Sequence, residues 1–144
     1  MIVAIDGPAA AGKSTSAKKV ARELGFTHLD TGAMYRCVTL SVLRDQITLD
    51  NESALSQLLN ELDIRLEKLN EEFVFYLNGE DVSDEIRKAE VTSYVSTVSA
   101  VSQVRNALVR VQRNIAKNQD CVVEGRDLSL IHISEPTRPR LSSY

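Results

Sequence analysis

The sequence predicts an α/β fold, a parallel sheet with helices on both faces and a small antiparallel insert. Three observations carry this. Met1–Ile5 is a continuous apolar run, as expected of a parallel strand buried on both faces, and a helical-period stretch follows it from Lys13. Asp120–Glu124 (Asp-Cys-Val-Val-Glu) returns to the same buried-strand pattern far along the chain. Between them, Ile64, Leu66 and Leu69, then Phe73, Phe75 and Leu77, partly alternate with polar neighbours, the period of a half-buried antiparallel sheet.

In chain order, the helix that starts at Lys13 runs to Leu24 and stops at Gly25. Phe26–Leu29 is a second short strand. After Asp30-Thr31-Gly32, the apolar positions Met34, Val38, Leu40, Val42 and Leu43 predict a helix to about Arg44. A further helix spans Asn51–Leu62, capped by Asp50 or Asn51, with Leu55, Leu58, Leu59 and Leu62 inward. Asn78-Gly79 marks a turn in the insert, about Asp63–Val82. Helices over about Glu85–Ser96 and Gln103–Lys117 precede the last strand, which leads into Gly125-Arg126-Asp127. Residues 128–144, with Pro136 and Pro139 close together, show no helical period and no strand longer than Leu130–Ile133.

The most specific chemistry lies between the first strand and the first helix. Gly7-Pro8-Ala9-Ala10-Ala11-Gly12-Lys13-Ser14 matches the phosphate-binding pattern G-x-x-x-x-G-K-[ST]. Glycines let such a loop wrap closely around phosphates with backbone N–H groups pointing inward, and the following helix presents its positive end. Lys13 is thus expected on the β- and γ-phosphates of a nucleoside triphosphate and the Ser14 hydroxyl on the Mg²⁺ that bridges them, with Thr15 as a cap or an α-phosphate contact.

Composition narrows the rest. The chain has 144 residues, 43% hydrophobic and 26% charged, which suits one ordinary core, and its net charge of −3 speaks against generic nucleic-acid or anionic-membrane binding. No run approaches the roughly 18 apolar residues of a membrane span, and the chain reads as cytoplasmic. Cys37 and Cys121 lack metal-ligand spacing and are expected to be core filling. Asp6, Asp30 and Glu124, at or near strand ends, are candidates for orienting water on Mg²⁺, while Asp30 equally suits a helix cap.

Ile5-Asp6-Gly7-Pro8 through Ser14-Thr15, Leu29-Asp30-Thr31-Gly32-Ala33-Met34-Tyr35-Arg36, Asn78 to Ser83, Glu85-Ile86-Arg87 and Glu124-Gly125-Arg126-Asp127 occur in an order that resembles bacterial cytidylate kinases. The resemblance covers residues 1 to about 127. It implies a P-loop nucleoside monophosphate kinase-like fold and transfer of the ATP γ-phosphoryl group to CMP or dCMP, with Mg²⁺, in a monomer. It assigns Arg36 and Arg126, with Thr31 nearby, to the acceptor phosphate, and Ser96, Arg105 and Asp127 to the cytosine ring. Cytosine offers an N4 donor beside the N3 and O2 acceptors. Asp127 and Ser96 can accept from N4 while Arg105 donates, and uracil would leave that set mispaired.

The resemblance further implies four segments: the first part of the kinase core at 1–62, the CMP-binding insert and flanking helices at about 63–118, a core strand and acceptor-binding turn at 119–127, and a tail at 128–144. Ser129–Pro139 resembles translated adapter sequence, so the tail is expected to be non-native or disordered, the alternative being a genuine surface tail. The family's lid and last strands should follow Asp127, and three sheet strands of five are expected here. The 144-residue chain is accordingly expected to show no useful turnover. Another small-acceptor kinase on the same fold, and a non-catalytic nucleotide-binding module, are the competing readings.

Overall fold

A computed structural model of the chain describes residues 1–6, 13–125 and 140–142. The elements run β1 (Ile2–Asp6), α1 (Lys13–Leu24), β2 (Thr27–Asp30), α2 (Thr31–Arg44), α3 (Glu52–Glu61), β3 (Ile64–Leu69), β4 (Glu72–Leu77), β5 (Glu80–Asp81), a 3₁₀ turn (Glu85–Arg87), α4 (Ala89–Ser99), α5 (Ser102–Ala116), β6 (Cys121–Gly125) and β7 (Arg140–Ser142). They fall into two compact units, residues 1–32 with 111–144, and residues 33–110.

The first unit holds a parallel sheet of order β2-β6-β1-β7. Its register pairs Val3 with Val122 and Ile5 with Glu124, so these side chains share one face. On that face Val3, Ile5 and Val122 pack with Ala17 and Ala21 of α1, supported by Val20 and Phe26. The small alanines let the helix approach the strands, and Gly25, at φ +70°, ends the helix in the left-handed conformation that a side chain resists. Leu29, Val123 and Cys121 are buried as well, and burial of every residue of β6 explains why that strand reads as an apolar run without alternation.

β7 adds a fourth strand to the three expected, pairing parallel with β1 at Ala4–Asp6, while residues 128–139, 143 and 144 of the expected tail lie outside the described residues. The physical reason is that pairing at an open strand edge uses backbone groups alone, which periodicity of side chains does not report.

The second unit contains the antiparallel sheet of order β3-β4-β5. Asn78 and Gly79, at φ +50° and +86°, make the tight β4–β5 turn, while Asn70 and Glu71 turn β3 into β4 with positive φ at both positions. The first turn carried a recognisable Asn-Gly signal; the second, Asn-Glu, did not. Asn51 is the N-cap of α3, accepting from the Ala54 N–H at 3.1 Å. Buried Met34, Val38, Val42, Leu55, Val91 and Leu108 belong to the core of this unit.

The expected helix over Glu85–Ser96 is instead two elements. Lys88, at ψ 154°, breaks the helical run between the 3₁₀ turn and α4. No proline or glycine announces the break, so periodicity merged the two pieces.

Candidate active site

In the first unit β1 ends at Asp6 and α1 begins at Lys13, so the phosphate-binding pattern occupies the connection between a parallel strand's C-terminal end and a helix N-terminus. Gly7 to Gly12 lie outside the described residues, as do Arg126 and Asp127. Lys13, Ser14 and Thr15 form the first turn of α1, whose free N–H groups and dipole favour an anion. Ser14 brings a hydroxyl to that first turn, the hard oxygen chemistry that suits Mg²⁺.

The C-terminal edge of the same sheet is tied together by side chains. Glu124 Oε1 lies 2.5 Å from His28 Nε2, with both side chains buried. The Thr31 hydroxyl, also buried, donates to the Glu124 carbonyl at 2.8 Å. Thr31 therefore commits its single hydrogen to β6 and keeps only lone pairs for a ligand. Asp30 immediately precedes α2, and its Oδ1 would lie 3.2 Å from a Cβ placed on Gly32, which puts the carboxylate over the helix start in the manner of a cap. Of the carboxylates considered for Mg²⁺, Glu124 is engaged by an imidazole and Asp30 sits at this helix start. Among the described residues no group of three or more His, Cys, Asp or Glu is arranged to hold a metal ion.

The second unit carries Arg36, Ser96 and Arg105. Arg36 Nη1 donates to the Ile86 carbonyl at 2.9 Å and to Thr92 Oγ1 at 2.8 Å. Ser96 and Arg105 are exposed, on α4 and α5 respectively. Thr92 and Ser96 are four residues apart on α4, one above the other on one helix face. The sequence reading missed His28 and Thr92. His28 is separated from Glu124 by 96 residues and Thr92 from Arg36 by 56, so neither pairing has a local pattern. Cys37 and Cys121 are buried, as expected of core filling.

A phosphate-binding sequence pattern between a parallel strand and a helix, in a chain with a second α and β unit, is the arrangement of the P-loop class of α/β proteins. Comparison with known proteins makes this particular. A family model described as "Cytidylate kinase" matches residues 3–135, and the chain belongs to that family. The match extends beyond residue 127, where the motif resemblance ended. The chain is 51% identical over 129 residues to the cytidylate kinase of Caldanaerobacter subterraneus subsp. tengcongensis, covering 90% of this chain and 56% of that one. It is 46% identical over 128 residues to that of Halalkalibacterium halodurans (89% and 58%) and 48% identical over 126 residues to that of Pediococcus pentosaceus (88% and 56%). The chain thus spans little more than half the length of these relatives. No helix among the described residues is long and apolar enough to cross a membrane.

Proposed function

We propose that this chain carries donor and acceptor residues of a kinase that transfers the γ-phosphoryl group of ATP to CMP or dCMP, giving CDP or dCDP. The reading is supported above all by one combination: a complete phosphate-loop pattern between β1 and α1, in a chain whose second unit contains Arg36, Ser96 and Arg105. The loop Gly7–Ser14 and Thr15 would hold the triphosphate, with Lys13 on its terminal phosphates. Mg²⁺, held through the nucleotide by the Ser14 hydroxyl, would supply positive charge between the β- and γ-phosphates. Arg36 and Arg126 neutralise the acceptor phosphate so that two anions can approach in line. Thr31 fixes the start of α2, the helix that bears Arg36. Ser96, Arg105 and Asp127 read the cytosine edge.

The segments 1–62, 63–118 and 119–127 then serve as core, acceptor insert and acceptor turn. The reading requires no protein partner, nucleic acid or membrane, and it assigns the reaction to a monomer in the cytoplasm. Calorimetric titration of the 144-residue chain with CMP, dCMP, UMP and AMP tests it. Saturable binding that favours CMP and dCMP is expected. Equal affinity for all four would remove the cytosine assignment, and the absence of any monophosphate binding would leave only the nucleotide-binding module.

A further inference from the structure

Arg36 is held in an arrangement that divides its guanidinium into two functional halves. Nη1 carries two hydrogens, and both have acceptors, the Ile86 carbonyl and the Thr92 hydroxyl. Among the described residues no hydrogen bond or ion pair engages Nε or Nη2, which together form the planar two-donor edge that matches two oxygens of a phosphate.

Both acceptors exist for structural reasons. In an uninterrupted helix the Ile86 carbonyl would accept from the N–H of residue 90. The break at Lys88 cancels that bond, and the carbonyl turns to Arg36 instead. The same break starts α4 anew, and Thr92 presents its hydroxyl from the first turns of that helix. One turn further along the same face stands Ser96, about 6 Å along the axis.

We propose that Thr92 is a positioning residue for the acceptor phosphate. Together with the Ile86 carbonyl it anchors Arg36 through Nη1 and so presents the Nε–Nη2 edge, ordered in advance, to the phosphate of a nucleoside monophosphate. The proposal rests on the assignment of Arg36 to that phosphate. Its energetic logic is pre-organisation: a long arginine side chain loses rotamer freedom on binding, and a side chain already held loses less. α4 then carries the aiming group for the phosphate at Thr92 and the proposed base contact at Ser96.

The test compares Thr92→Val, which keeps the shape and removes the hydroxyl, with Thr92→Ser, which restores it, and with Arg36→Ala, all in the 144-residue chain. CMP and cytidine, which lacks the phosphate, are titrated into each. Thr92→Val is expected to weaken CMP about 3- to 10-fold, the loss of one hydrogen bond's worth of ordering, and to leave cytidine unchanged. Thr92→Ser is expected to bind CMP within about twofold of the parent. The Arg36 side-chain nitrogens report the latch without any ligand: slowed rotation about Cζ–Nη1 in the parent and in Thr92→Ser, faster in Thr92→Val.

If Arg36→Ala leaves CMP affinity untouched, the assignment of Arg36 to the phosphate fails and the proposal falls with it. If Arg36→Ala weakens CMP but Thr92→Val does not, the proposal alone is overturned. Equal losses for CMP and cytidine would also overturn it, since they would make Thr92 a structural residue only. Thr92 is exposed, so the valine variant is expected to fold.

Discussion

Replacing His28 by Leu is expected to be among the most destabilising single changes to the first unit. The side chains of His28 and Glu124 are only 8% and 4% exposed, and their atoms approach to 2.5 Å, so solvent screens the pair little. Leucine removes the imidazole that is hydrogen-bonded to the buried Glu124 carboxylate, and loss of one partner of a buried hydrogen bond costs about 1–3 kcal/mol. The alternative of a weak surface contact, at about 0–1 kcal/mol, does not fit this burial. With a urea m-value of about 2 kcal/mol/M, the midpoint should fall by roughly 1 M. The double variant His28→Leu/Glu124→Leu removes both polar groups together and should be more stable than the sum of the singles predicts. Urea denaturation followed by circular dichroism gives all four midpoints. A shift below about 0.3 M for His28→Leu, or strictly additive singles, would refute the view that this pair ties β2 to β6.

Other outcomes follow from single residues. Lys13→Ala should weaken ATP binding at least about tenfold by removing the ammonium expected on the terminal phosphates, as calorimetry would show. Gly79→Ala should cost about 1–2 kcal/mol, measured by thermal unfolding, because φ +86° strains any residue with a Cβ, although the space around it is open. The Ser83 hydroxyl and N–H hold the Asp81 carboxyl below its ordinary value of 3.8. A depressed carboxyl contributes stability above its unfolded pKa and loses it as pH falls through the folded value, so Asp81→Asn should flatten the acid limb of the stability curve below about pH 4. Carbon-13 titration of the Asp81 carboxyl checks the direction.

How much the sequence disclosed depends on the range over which each signal acts. Gly25 marks the end of α1, Asn51 caps α3, and Asn78-Gly79 turns β4 into β5, each through its own backbone preference. The break at Lys88 was illegible because it is fixed by what surrounds it, not by a breaker residue. β7 was illegible because edge pairing is a backbone matter. Arg36 lies in one of the ordered motifs, while Ser96 and Arg105 were named only through the family resemblance; all three fall in the second unit. Thr92 and His28 act through contacts made 56 and 96 residues away, which no window of sequence contains. The hydrogen bond from the buried Thr31 hydroxyl to the Glu124 carbonyl likewise became visible only once β2 and β6 lay side by side.

The central claim is that the chain binds a triphosphate at the β1–α1 loop and a cytidine monophosphate through residues of the second unit. Backbone and arginine side-chain NMR of the 144-residue chain, titrated separately with Mg-ATP and CMP, tests both halves at once. Mg-ATP should shift residues 13–15 at the start of α1, and CMP should shift Arg36, Ser96 and Arg105 in a saturable manner, with UMP producing smaller changes at Ser96 and Arg105. CMP shifts confined to α1, or identical responses to CMP and UMP at Ser96 and Arg105, would contradict the account.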